Sequence, residues 1–182
     1  MILWDFDGTL AIREGGWTGA LGDLLAVHAP DIAATPDQIR PFLQAGFPWH
    51  EPHIPHTHLN DDSVMWWRAL DPIFVSAFEG LGIAHKRAVD LARLVRVQYL
   101  APAAWRLFDD AMSALHALAE RGWRQLIVSN HAPELPQIVS TLGLDNMFAA
   151  IINSATVGYE KPHPAIYQCA LQIAGRADPI WM

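Results

Sequence analysis

The sequence has little of several things, and each shortage excludes a class. It has a single cysteine, Cys169, so no disulfide framework holds it and a reducing compartment is expected. Basic residues are few: 12 Lys and Arg against 19 Asp and Glu, for a formal net charge of −7. A broad surface for nucleic acid or anionic lipid needs clustered cations, so neither partner is expected. A small anion is not excluded, because a local metal and one lysine can override the global field. No apolar run approaches the ~20 residues that cross a bilayer. The first ten residues carry two acids and no basic start, so they do not read as a secretory leader. There is no internal repeat or low-complexity tract. A soluble, cytoplasmic protein is expected. Apolar residues, by contrast, make up 52% of the 182, enough for a full core in one domain that carries an insertion.

The chain opens Met1-Ile2-Leu3-Trp4-Asp5-Phe6-Asp7-Gly8-Thr9-Leu10. A short apolar run ending in a turn residue reads as a buried strand of a parallel sheet. Its C-terminal end presents Asp5 and Asp7 on one side, since side chains alternate, and in open α/β sheets ligands bind at that end. Two carboxylates about 6–7 Å apart along a strand repel each other unless a cation or a proton lies between them. The pair suits phosphoryl transfer: one acid attacks phosphorus and forms an aspartyl-phosphate, and the other moves protons. Mg²⁺ favours one or two carboxylates plus water and substrate oxygens, so it would hold the anions and the phosphate together.

Residues 13–102 read differently, as helices with no strand among them. Thr18 is a candidate N-cap for a helix through about His28, and Thr35-Pro36 starts a second through about Leu43. Asp61-Asp62-Ser63 opens a third, Val64 to about Phe78, which Pro72 should kink or split. A fourth runs from about His85 to Tyr99, with Val89, Leu91, Leu94, Val95 and Leu100 on its apolar face. After Pro102 strand and helix alternate. The sequence predicts a helix over 109–121, a strand over 124–128, a helix over 133–142 and a strand over 148–152. A helix over 162–174 follows, and a further strand starts at Ile180-Trp181-Met182. Such alternation implies a parallel sheet with right-handed crossovers. Ser129 and Asn130 fall at the end of the 124–128 strand, where a hydroxyl can donate to a phosphate oxygen and an amide can hold nucleophile or substrate. Lys161, in Tyr159-Glu160-Lys161-Pro162-His163-Pro164, can neutralise charge on a transferring phosphoryl group.

In that order, strand-Asp-x-Asp-Gly-Thr, strand-Ser-Asn and Lys-Pro-helix, the residues resemble the haloacid dehalogenase-like hydrolase superfamily, in its subgroup with a helical cap inserted after the first strand. The resemblance implies an α/β fold. Residues 1–12 and 103–182 would form a Rossmann-like three-layer core with a parallel sheet, and 13–102 an all-helical cap. It implies Asp5 as nucleophile, Asp7 as general acid and base, and Lys161 securing both nucleophile and transferring group. Mg²⁺ would be held by the Asp5 carboxylate and the Asp7 carbonyl. Thr9 would assist the acids and Ser129 would bind phosphate. In the dehalogenases that give the family its name the position matching Asp7 is not an acid, so Asp7 favours phosphate chemistry. The family also carries a Gly-Asp-x-x-x-Asp motif just after the strand that here starts at Ile180, and the 182 residues reach only that strand. A fragment or a disordered or cleaved remainder is the expectation, ahead of a degenerate homologue or a swap across a dimer. The expected activity is a Mg²⁺-dependent phosphatase acting on a small phosphorylated metabolite, as a monomer or homodimer. A phosphomutase of the same family and a non-catalytic binding protein are the alternatives.

Other features are less directed. His50, His53, His56 and His58 crowd a Pro-rich loop, which reads as a rigid surface loop ahead of a Zn²⁺ site. Trp17, Trp49, Trp66 and Trp67 can line an apolar substrate pocket, with packing the default for Trp66 and Trp67. His131, just after Ser129-Asn130, and Arg13 and Glu14, on the way into the cap, lie near enough to the expected site to touch substrate or to serve as rim residues.

Overall fold

The computed structural model describes residues 1–60, 62–175 and 180–182. Strand β1 (Ile2–Trp4) leads into a turn through Asp5 to Leu10 and returns as β2 (Ala11–Arg13). Gly8 holds φ +79° in that turn, where a Cβ would be strained. Helices follow: α1 (Gly16–His28), α2 (Pro36–Ile39), α3 (Ser63–Gly80), α4 (His85–Ala92) and α5 (Val95–Tyr99). Strand β3 (Trp105–Leu107) then pairs antiparallel with β2. Alternation takes over with α6 (Ala111–Glu120), β4 (Gln125–Ser129), α7 (Leu135–Thr141), β5 (Ala150–Asn153), α8 (Ser154–Val157) and α9 (Pro164–Ala174).

The main sheet is parallel, in the order β1-β4-β5. Trp181 bridges to Ile2 on the other side of β1, so β1 is an inner strand. Alternate residues of a strand face opposite sides, and the apolar contacts divide accordingly. Leu3, Leu126, Val128 and Ile152 meet Ile166 and Ala170 of α9. Ile127 belongs with Leu115 of α6 and with Leu135 and Ile138 of α7. The core is therefore a three-layer α/β structure, and β4 is buried along its whole length, as a strand covered on both faces must be. The second cluster does not stop at the sheet. It runs through Phe6, Leu10 and Trp105 into Leu21, Phe74 and Phe78 of the helical insertion, so insertion and sheet share apolar contacts.

Several elements differ from the sequence expectations, each for a local reason. The insertion is entered and left through the β2–β3 ribbon, which the pattern missed because three residues per strand are too few to show a period. Helix α1 begins at Gly16, with Gly15 at φ +67°; Thr18 lies inside it and donates its hydroxyl to the Gly15 carbonyl at 2.8 Å. Thr35 does start α2, and Gln38 returns a bond to its N–H, but Pro41 lacks a donor and the chain tightens into a 3-10 turn over Arg40–Leu43. Pro72 does not break α3. Both Pro72 and Arg68, whose carbonyl loses its partner, are exposed, so water can take the missing bond. The 85–99 helix divides at Arg93-Leu94, where the Leu94 N–H bonds to the Leu91 carbonyl; the buried face is Ala88, Leu91, Ala92, Val95 and Tyr99, so of the expected face Leu91 and Val95 are buried, Val89 and Leu100 are half-buried and Leu94 is exposed. Of the expected opening Asp61-Asp62-Ser63, Asp61 lies outside the described residues, and Asp62 caps α3 by accepting from the Val64 and Met65 N–H groups. Only Trp181 of the expected final strand makes a bridge. Among the described residues no helix is long and apolar enough to cross a membrane.

Arg13 is an interior residue, 1% exposed. Its Nη1 donates to the Glu14 and Gly16 carbonyls at 2.8 and 3.0 Å. Its Nη2 donates to Asp23 at 2.9 Å and to the Gln98 carbonyl at 3.3 Å. One guanidinium thus ties β2 to α1 and α5, which removes Arg13 from the substrate rim, while Glu14 stays exposed. Arg13→Met should strand those acceptors and lower the unfolding free energy by about 3 kcal/mol in urea titrations. An unchanged midpoint would show that the guanidinium is not the tie.

Candidate active site

Three carboxyl ends of parallel strands converge here. β1 delivers Asp5 and, two residues on, Asp7; β4 delivers Ser129 and then Asn130; β5 delivers Asn153. The Asp5 carboxylate is held by one oxygen. Its Oδ1 accepts from the Phe6 N–H at 2.7 Å, from the Ser129 hydroxyl at 2.8 Å and from Lys161 Nζ at 2.8 Å. None of these bonds uses Oδ2. Ser129 is buried and its hydroxyl is engaged with Asp5. Lys161 is itself fixed by Asn130. The Asn130 amide accepts from the Lys161 N–H at 2.6 Å and donates to its carbonyl at 3.1 Å, so Asn130 reads that peptide at both ends.

Asp7 opens onto a cleft. Loss of surrounding water, reinforced by the Asp5 charge, pushes its carboxyl up to about 6, against the pull of the Gly8 N–H. A group in that range can carry a proton or release it near neutral pH. Thr9 is exposed, with its N–H on the Phe6 carbonyl, and its hydroxyl is not bonded to either aspartate. His131 is buried and set among rings: Phe6 at 5.7 Å, Trp105 at 5.4 Å and Tyr99 at 6.1 Å. Burial pushes its pKa down to about 4, opposed by the Ala132 carbonyl and the Asp5 charge. Its Nδ1 lies 3.3 Å from that carbonyl, and a carbonyl can only accept, so the proton belongs on Nδ1. Nε2 is buried and has no partner among the described residues.

A divalent cation suits these donors. Asp5 and Asp7 offer hard oxygen donors, the Asp5 charge adds to the loss of water that raises Asp7, and Mg²⁺ is ordinarily bound through one or two carboxylates, with water and substrate oxygens completing its shell. Among the described residues no three His, Cys, Asp or Glu side chains gather as a metal cluster. The histidine loop is no exception. His50, His53 and His58 are exposed, whereas His56 is buried against Glu160 at 3.1 Å.

Residues not foreseen in the sequence hold the insertion onto the core. Buried Glu134 takes Arg96 at 2.6 Å and the Trp67 indole N–H at 3.0 and 3.2 Å. Trp67 is thereby packed, as its default had it. His56 joins Glu160, the residue before Lys161. Its own N–H bonds to the Gly158 carbonyl, and Gly158 is so close to Thr57 that a Cβ would lie 2.7 Å from its Cα. Asn153 donates to the Ala132 carbonyl at 2.7 Å and caps α8. Its one sequence signal was an Asn-Ser pair at a strand end.

A family model described as haloacid dehalogenase-like hydrolase matches residues 1–182. Human haloacid dehalogenase-like hydrolase domain-containing protein 3 is 32% identical over 113 residues, 62% of this chain. The match spans 44% of that relative's length. A phosphoglycolate phosphatase of Colwellia psychrerythraea is 36% identical over 67 residues, covering 36% of this chain and 30% of its own. Among solved structures, the L-2-haloacid dehalogenase of Xanthobacter autotrophicus overlays 99% of this chain and 67% of its own at TM-score 0.63, with 20% identity. That last likeness is one of fold.

His131 gives the site a pH signature. Its folded pKa, about 4, lies below the ordinary 6.5, so between the two the unfolded chain binds a proton that the folded chain refuses. The stability it contributes is complete above the ordinary value and is lost as pH falls, by up to about 1.4 kcal/mol per pH unit. Asp7, raised to about 6, gains stability as pH falls over part of the same range, so the share of His131 is read by difference: in urea melts from about pH 7 to about pH 5 the protein should lose stability relative to His131→Phe by up to that slope. Equal slopes in the two proteins would show that His131 does not titrate this way.

Proposed function

Because the chain belongs to the haloacid dehalogenase-like hydrolase family, we propose that it is a Mg²⁺-dependent phosphatase, hydrolysing a small phosphate monoester through an aspartyl-phosphate on Asp5. The observation that best supports this is the asymmetry of the Asp5 carboxylate. Three donors grip Oδ1, so the carboxylate is oriented while Oδ2 keeps its lone pairs for attack on phosphorus.

In the first step Oδ2 bonds to phosphorus as the ester P–O bond breaks, and Asp7 gives its proton to the departing oxygen. In the second, the Asp7 carboxylate takes a proton from water, whose oxygen attacks phosphorus. The Oδ2–P bond then breaks and inorganic phosphate leaves. A carboxyl poised near 6 can serve as acid and then as base. Loss of an alkoxide needs a proton donor and loss of a halide does not, so an acid at position 7 favours the phosphate-ester reading. Lys161 offsets charge on the transferring group while restraining Asp5, Ser129 holds the carboxylate in place, and Asn130 holds Lys161. The Asp5 carboxylate and the Asp7 carbonyl would hold Mg²⁺, which supplies positive charge to the phosphoryl oxygens. The helices between β2 and β3 would serve as a cap that keeps bulk water from the intermediate.

Turnover of p-nitrophenyl phosphate with and without Mg²⁺ tests the reading. Asp5→Asn should abolish it. Asp7→Asn should lower steady-state turnover by about 10²–10⁴ yet still release an initial burst of nitrophenol, because that leaving group needs no proton while hydrolysis of the intermediate stalls. Full activity in Asp5→Asn would remove the covalent route.

A further inference from the structure

We infer that the cleft beside Asp7 is built for a flat, uncharged aromatic leaving group, so that the natural substrate is the phosphate monoester of an aromatic alcohol and not of a hydroxy acid or a sugar. This rests on the phosphatase reading and names its substrate class.

The cleft is ≈ 420 Å³ and is lined by Asp7, Trp17, Trp49, Tyr99, Asn130 and His131, with Ala132. Its walls come from both halves of the fold: Trp17, Trp49 and Tyr99 from the insertion, the rest from the ends of β1 and β4. The rings are not loose. Trp17 lies flat on Tyr99 at 3.9 Å and 15°. Trp49 lies 6.0 Å from Trp17, tilted by 32°, and is stacked on buried Phe47 at 4.5 Å and 14°. A rigid aromatic wall favours a flat ring over a saturated one of equal size, by offset stacking as well as by area.

Charge points the same way. Among the described residues no lysine or arginine lines the cleft. Arg13 is committed to backbone carbonyls and Asp23, Arg96 to Glu134 and Lys161 to Asp5. A second anionic group on the substrate, such as the carboxylate of phosphoglycolate, would meet Asp7 and no described lysine or arginine. A sugar would need many polar partners, and the lining offers few beyond Asn130 and His131.

Isothermal titration of the Asp5→Asn protein in Mg²⁺ buffer tests this without turnover. The probes are 2-phenylethyl phosphate, 2-cyclohexylethyl phosphate and 2-phosphoglycolate. The phenyl ester should bind about tenfold more tightly than either of the others. Phosphoglycolate binding as tightly as the phenyl ester, no preference for the flat ring, or no measurable binding of any ester would overturn the inference. The phosphatase reading is judged separately, by wild-type turnover of acetyl phosphate, which is too small to reach the aromatic wall. Turnover of acetyl phosphate without aromatic preference sinks the substrate class alone. Aromatic preference without any turnover sinks the phosphatase and leaves the cleft.

Discussion

Asp5 Oδ1 is shared by three donors that arrive from three directions in the chain: its own turn, the neighbouring strand and the loop ahead of α9. Hydrogen bonds to a charged group contribute about 1.5–3 kcal/mol each before desolvation is counted. Their larger consequence is geometric, because a carboxylate held by one oxygen presents the other in a fixed direction. That constraint needs the parallel sheet. Register places Trp4 beside Ile127, so Asp5 and Ser129 emerge at the same edge, and Asn130 then fastens Lys161 across from them.

The insertion is joined to this centre by polar clasps as well as by apolar contact. Arg96 and Trp67 converge on Glu134, and His56 meets Glu160 one residue before Lys161. Buried charge of this kind is costly unless paired, so each clasp fixes one arrangement of insertion over core more than it adds net stability. The aromatic wall of Trp17, Trp49 and Tyr99 is set in place by the same arrangement. Site and wall thus depend on a common docking of helices on sheet.

Much of this could be read from residue order. Asp5, Asp7, Ser129 and Lys161 each follow a strand or precede a helix whose pattern is strong, and the parallel sheet aligns such positions by construction. The short ribbon of Ala11–Arg13 and Trp105–Leu107 could not be read, because neither strand is long enough for alternation to register. Pro72 sits inside α3 without breaking it, because its cost there depends on whether the Arg68 carbonyl can find water, which is a tertiary fact. Arg13 carried no sign that it would be buried among carbonyls, and Glu134 and Glu160 gave none that they would receive Arg96 and His56. Pairings across such distances leave no local trace. The helical pattern between 13 and 102 was visible as helix, whereas its breaks at Pro41 and at Arg93-Leu94 followed from donor loss in one case and a tightened turn in the other.

The central claim is that Asp5 Oδ2 becomes bonded to phosphorus. Acid-quenching the protein within its first turnover of a phosphate monoester, followed by peptide mass spectrometry, tests it most directly. The account predicts one phosphoryl group, on the peptide that contains Asp5 and on that side chain, and none in Asp5→Asn. A phosphoryl group on any other residue, or turnover with no phosphorylated protein at any quench time, would contradict it.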